Sequence, residues 1–161
     1  AAATEPMTIQ RIVSGGQTGV DRGALDAAIW LGIPHGGWCP RGRRSEDGTI
    51  PARYALQETL ERDYAARTER NVVDSDGTLV LYLDALSGGT AFTVRMAKKH
   101  QRPLFLVDMN QPFDRDTVSR WLVAEGIQSI NLAGPRESSR PGIGDQARQL
   151  LVDLFHDVTI G

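Results

Sequence analysis

The chain has 161 residues, 40% of them hydrophobic and 24% charged, with a formal net charge of −2. That is the length of one domain able to bury a full core, and the charge balance excludes a general polyanion binder. No segment is apolar for long enough to cross a bilayer, and the single cysteine, Cys39, excludes an internal disulfide and fits a reducing compartment such as the cytoplasm.

"AAATEP" lacks the charged start and apolar run of a secretory signal, so residues 1–7 are expected to be a disordered or vector-derived leader to one domain over 8–161. "TIQRIV" (8–13) is the first β-rich run. It passes into "SGGQTG" (14–19) and then a helix whose Val20, Ala24, Ala27, Ala28 and Leu31 share one face. Thr18 stands where an N-cap belongs, with Asp21 three residues on. The turn Gly15, Gly16, Gln17, Thr18 is therefore expected to present free backbone N–H groups, at a helix end that favours anions. Arg22 is placed to add a forked hydrogen bond. A carboxylate at Asp21 repels phosphate, so Asp21 either caps its own helix or accepts from a ligand amino group.

"PHGGW" (34–38) is a weaker strand candidate, and "GGWCPRGRRSEDG" (36–48) reads as a loop over a site, with Arg41 as its phosphate clamp and Cys39 as a packed thiol. Tyr54 to Arg70 reads as helix, and "DSDG" (74–77) as a turn without the spacing of a calcium loop. The strand "TLVLYL" (78–83) leads to a second glycine turn, Ser87, Gly88 and Gly89, with Thr90 as the expected N-cap. "PLFLV" (103–107) is a strand, and Val118, Trp121 and Leu122 mark a helix. "SINL" (129–132) precedes a third turn with Gly134 and Arg136, and Ile143, Ala147, Leu150, Leu151, Leu154 and Phe155 give the clearest helical series. His35, His100 and His156 lack metal-ligand spacing, so no metal site is assigned.

Strands alternating with helices require crossover connections, and the expected fold is α/β: a Rossmann-like three-layer α/β/α sandwich with a mostly parallel five-stranded sheet. The three glycine turns then lie at the carboxyl edge, where open sheets bind ligands. In a simple 2-1-3-4-5 order the third turn falls to one side; if "SINLAGPRES" inserts between the first and third strands, all three converge. "SGGQTG" is not G-x-G-x-x-G and lacks the G-K-[ST] ending of a P-loop, which argues against a dinucleotide site and an ATPase. Sixteen of the 18 basic residues are Arg, whose planar fork suits oxyanions.

"SGGQTGVDRGALDAAI", "GGWCPRGRRSEDG", "RTERNVVDSDGTLVL", "SGGT" and "AGPRES", in this order from about Ile12 to Phe155, together resemble the molybdenum cofactor carrier proteins. These belong to a Rossmann-like superfamily that also contains phosphoribohydrolases. The resemblance implies a cytoplasmic homo-oligomer, such as a tetramer, that binds, stores and protects the molybdenum cofactor or a related phosphorylated ligand without transforming it, for delivery to a molybdoenzyme. It implies no nucleic-acid or membrane partner. The alternative is a nucleoside-monophosphate phosphoribohydrolase or a nucleotide-sensing module using the same pocket. The hydrolase resembles a G-G-x-G-T-x-E-E turn, whereas Phe92 and Thr93 follow Thr90 here, leaving Glu46 or Glu137 to supply a carboxylate.

Overall fold

The structure is a computed structural model that describes residues 7–160. Five strands form one parallel sheet: β1 (Arg11–Val13), β2 (His35–Gly36), β3 (Gly77–Tyr82), β4 (Leu104–Asp108) and β5 (Ser129–Ala133). Their spatial order is β2-β1-β5-β3-β4, so the last strand sits in the middle, bonded to β1 on one side and β3 on the other. The insertion of "SINLA" between the first and third strands is the arrangement in which all three turns converge. Counting β5 as the first strand turns the order into 3-2-1-4-5, the Rossmann winding. The chain therefore has that winding with its opening strand and helix moved to the end.

Five helices cover the sheet: α1 (Val20–Leu31), α2 (Tyr64–Val73), α3 (Gly88–Lys99), α4 (Arg115–Ala124) and α5 (Ile143–Phe155). The α1–α5 contact is the most extensive between any two elements, and Gly23 makes it possible, because a Cβ there would stand 2.4 Å from the Gly144 carbonyl oxygen. Arg115 of α4 donates to the carbonyls of Asp153 and Leu154, which ties α4 to the same layer. α2 packs on α3. The main core is the fully buried set Ile12, Leu79, Leu81, Ile130 and Leu132 from the sheet, with Val20, Ala24, Ala28, Ile143, Ala147, Leu151 and Leu154 from α1 and α5. Burying an aliphatic side chain of this size contributes about 1.5–3 kcal/mol, so this layer carries most of the fold's stability.

Three expectations change. The run 8–13 is two strands: Gln10 and Arg11 both donate to the Gln128 carbonyl, which breaks the run, and Thr8–Ile9 pairs instead with Thr159–Ile160 in a separate parallel pair. Met7, counted above with the leader, is 6% exposed and belongs to the main core, while residues 1–6 lie outside the described residues. The helix expected over 54–70 begins only at Tyr64, where Asp63 caps it by accepting from the Ala66 N–H. Upstream, Arg43 holds the chain in another shape by donating to the carbonyls of Ile50, Pro51 and Tyr54. Gln57–Glu58 pairs with Trp38–Cys39, and Tyr54, Ile50, Cys39 and Leu25 form a second small core under this segment.

Candidate functional site

The carboxyl edge of the sheet opens into a cleft of about 640 Å³, within the usual size of a small-molecule site. Its floor comes from β5 and the turn after it (Asn131 to Arg136), one wall from the start of α3 (Ser87 to Thr93), the other from α2 (Tyr64, Arg67, Thr68, Asn71), with Gly15, Gln17 and Asp21 closing the back. Of the residues proposed from sequence, Gly15, Gln17, Ser87, Gly88, Gly89, Thr90 and Arg136 are brought together there. Gly16, Thr18, Arg22 and Arg41 are not.

The reasons differ. Gly16 packs under the second small core, where a Cβ would stand 2.6 Å from Leu56 Cδ1. Thr18 is not the N-cap of α1; Gly19 is, with φ 82°, and the Thr18 hydroxyl instead donates to Glu46 and accepts from the Glu137 N–H at 3.1 Å. Arg22 is committed to Asp47 by a two-pronged pair of 2.6 and 2.7 Å, and the Arg22 hydrogen bond in turn holds the Asp47 carboxyl well below the usual carboxylate range. Arg41 is exposed and does not line the cleft. Cys39 is fully buried, and burial pushes its thiol up, consistent with an inert packed residue.

The first glycine turn is also not the anion cradle expected of it. Three of its N–H groups are already satisfied: Gly16 donates to Ser14 Oγ, Gln17 to Asp21 Oδ2 and Thr18 to Gln17 Oε1. Asp21 reaches back to the turn by accepting from the Gln17 N–H, two residues before the N-cap, so it does not complete the capping exchange expected with Thr18, and it also lines the cleft. The start of α3 is different. Ser87, not Thr90, is its N-cap, and the Ser87 side chain makes no capping bond. Among the described residues the Gly88 and Gly89 N–H groups have no acceptor, and a Cβ at Gly89 would meet nothing within 4 Å. Free N–H groups at the positive end of a twelve-residue helix, facing a cleft, attract an anion.

Sequence reading missed the α2 wall. Tyr64, Arg67, Thr68 and Asn71 sit at i, i+3, i+4 and i+7, one polar stripe on a helix. That periodicity was the available signal, because a polar stripe on a helix that packs against a neighbour must face something other than core. Arg67 is 6% exposed, donates to the Gly15 carbonyl at 2.7 Å and lies 3.7 Å from Asp21 Oδ2. At that distance the ion pair lacks a direct hydrogen bond, so its attraction does not offset lost hydration. Burial raises the Asp21 carboxyl to about 6 and lowers Arg67, each opposed by the other's charge. Guanidinium groups of Arg67 and Arg136 both lie 5.3 Å from the Tyr64 ring centre, which keeps this wall positive and planar.

The two carboxylates that a hydrolase reading would recruit are otherwise engaged. Glu46 accepts from Thr18, from the Ser138 N–H at 3.1 Å and from Ser138 Oγ at 2.6 Å; burial opposes its ionisation, but these bonds outweigh it and hold the carboxyl below its ordinary value. Glu137 accepts from the N–H groups of Gly142 and Gly144, which caps α5. Neither lines the cleft, and Asp21 is its one carboxylate among the described residues. No group of three or more metal-ligating side chains occurs among the described residues, and no described helix is long and apolar enough to cross a membrane.

A parallel sheet with Rossmann winding and a polar cleft at its switch point defines a small α/β protein of the architecture in which open sheets bind ligands. Residues 12–155 match the circularly permutated YpsA SLOG family, and the chain belongs to that family. The strand order, a Rossmann winding with its opening strand at the end of the chain, agrees with a family described as circularly permutated. The chain is also similar to the crystal structure of a protein named "Putative molybdenum carrier protein" from Syntrophus aciditrophicus SB, with 44% sequence identity, a TM-score of 0.89, and coverage of 94% of this chain and 97% of that one. No curated protein matches the chain.

Proposed function

We propose that this protein is a carrier that binds the molybdenum cofactor, or its phosphorylated pterin, in the cleft between α2 and α3 and protects it without transforming it. The observation that carries this reading is the open start of α3. Among the described residues the Gly88 and Gly89 N–H groups have no acceptor, and they are open to a ligand phosphate in the cleft that Arg136 and the buried Arg67 also line. The cleft volume suits a tricyclic pterin with its phosphate. Among the described residues its lining holds no Cys or His, which favours a cargo metal held through its organic ligand. The name of the similar protein supports the same ligand class. The commitment of Glu46 and Glu137 to other bonds favours a carrier over a phosphoribohydrolase, which needs a free carboxylate at the sugar. The reading includes a cytoplasmic homo-oligomer, such as a tetramer, that hands its cargo to a molybdoenzyme.

The test is native purification from a cofactor-producing host, followed by mass spectrometry of the retained small molecule. A phosphorylated pterin is expected. Base release from nucleoside monophosphates by the parent protein, lost on Glu46→Gln or Glu137→Gln, overturns the carrier reading.

A further inference from the structure

Gln17 and Asp21, four residues apart and both lining the cleft, each keep a polar atom unused. Gln17 is 6% exposed, and its side-chain amide is oriented without ambiguity: Oε1 accepts from the backbone N–H groups of Thr18 at 3.0 Å and Glu46 at 2.9 Å. Turning the amide over would set its NH2 against two donors, so the NH2 must point away from them. That nitrogen, Nε2, is buried and has no hydrogen-bond partner. A buried amino group left unmatched costs about 1–3 kcal/mol, which is a standing demand for an acceptor. Four residues on, Asp21 uses Oδ2 to accept from the Gln17 N–H at 3.2 Å, while Oδ1 accepts from nothing among the described residues. Both residues line the cleft.

The pair excludes some ligand groups by chemistry. A phosphate at this end meets a carboxylate and is repelled, and a hydrocarbon leaves both groups unmatched. A ligand edge that satisfies them carries N–H donors for the carboxylate next to a carbonyl for the amide. Resting on the carrier reading above, we infer that Gln17 and Asp21 read the 2-amino-4-oxopyrimidine edge of a bicyclic or larger heterocycle. Asp21 accepts from the ring N–H and the exocyclic amino group, and Gln17 Nε2 donates to the ring carbonyl. Pterins and guanine share this edge; adenine lacks both the carbonyl and the ring N–H, and hypoxanthine lacks the amino group. The anion then lies at the α3 end of the cleft and the ring edge at the α1 end. Arg67, anchored on the Gly15 carbonyl, stands 3.7 Å from the Asp21 carboxylate and places a positive charge beside it.

The probes are neopterin monophosphate, GMP, IMP and AMP, titrated into the purified full chain by calorimetry. Neopterin monophosphate and GMP are expected to bind at least about tenfold more tightly than IMP and AMP, because a buried carboxylate left without its donors penalises the analogue. The ratio of neopterin monophosphate to GMP separates the two sources of the edge. Asp21→Asn is expected to erase the preference of GMP over IMP while leaving the weaker phosphate-dependent binding, and Gln17→Glu to erase the preference of IMP over AMP. Should either variant fail to fold, the four-probe series on the parent chain still decides. Equal affinity for GMP, IMP and AMP overturns the ring-edge assignment and leaves the carrier reading standing; failure of all four probes to bind overturns both.

Discussion

The β1–α1 and β3–α3 turns look alike in sequence, "SGGQTG" and "SGGT", and do opposite work. In the first, glycines make room for protein. A Cβ at Gly15 would stand 2.5 Å from the Arg67 side chain, and one at Gly19 would stand 2.3 Å from the Pro135 carbonyl oxygen. In the second, a Cβ at Gly88 or Gly89 would meet nothing. A glycine pattern therefore reports that something approaches the backbone closely, without saying whether that is the chain or a ligand.

The contrast can be broken by filling each turn. The largest stability effect is expected for Gly19→Ala, which combines φ 82° with a backbone collision; together these cost more than about 3 kcal/mol, to be read as a lowered midpoint in urea unfolding.

Next comes Asp21. Its carboxyl is raised to about 6 by burial, against about 3.9 in an unfolded chain. Between those values the folded state holds a proton that the unfolded state has released, so this group makes the unliganded protein less stable as pH rises from 4 to 6. The effect is on the order of 2–3 kcal/mol. Asp47 has the opposite sign, because its pairing with Arg22 contributes stability above pH 4 that is lost as pH falls further. Urea unfolding across pH 4 to 7 should show the Asp21 decline in the parent and not in Asp21→Asn; identical profiles would show that Asp21 is hydrated in the free protein.

Glu46→Gln is expected to be smaller, about 1 kcal/mol, since an amide keeps one acceptor for Ser138 or Thr18. Ligand affinity should barely change, because Glu46 does not line the cleft. The smallest stability effect, within about 0.5 kcal/mol as for substitutions away from packed features, is expected for Gly89→Val. Yet that change should abolish retention of the phosphorylated ligand by covering the free N–H groups. Retention by Gly89→Val at parental affinity would move the anion site away from α3.

Much of the fold was legible because periodicity is a local property. The α5 series from Ile143 to Phe155 is a face that must be buried wherever the helix lies, and "TLVLYL" is too apolar on both faces for anything but an internal strand. The helix expected from Tyr54 starts late for a nonlocal reason: the Arg43 guanidinium claims the Tyr54 carbonyl together with those of Ile50 and Pro51 just before it. Seven of the eleven residues proposed for the site share the cleft. Arg22 and Arg41 do not, because a guanidinium's role depends on the partner that folding supplies, and Asp47 stood 25 positions away.

The sequence by itself determined the α/β class, the parallel sheet, the three glycine turns at its carboxyl edge and the family resemblance, since each rests on residue type and short-range spacing. Only the tertiary structure decided that β5 lies between β1 and β3, that the first turn is filled from within while the third helix begins open, and that a stripe on α2 forms a wall. The physical reason is that a backbone N–H is the same donor in either glycine turn. Whether it is spent on Ser14 and Asp21 or left for a ligand depends on how folding orients the side chains within a few residues of it, while Arg67, 52 positions from Gly15, fills the room that remains at the first turn.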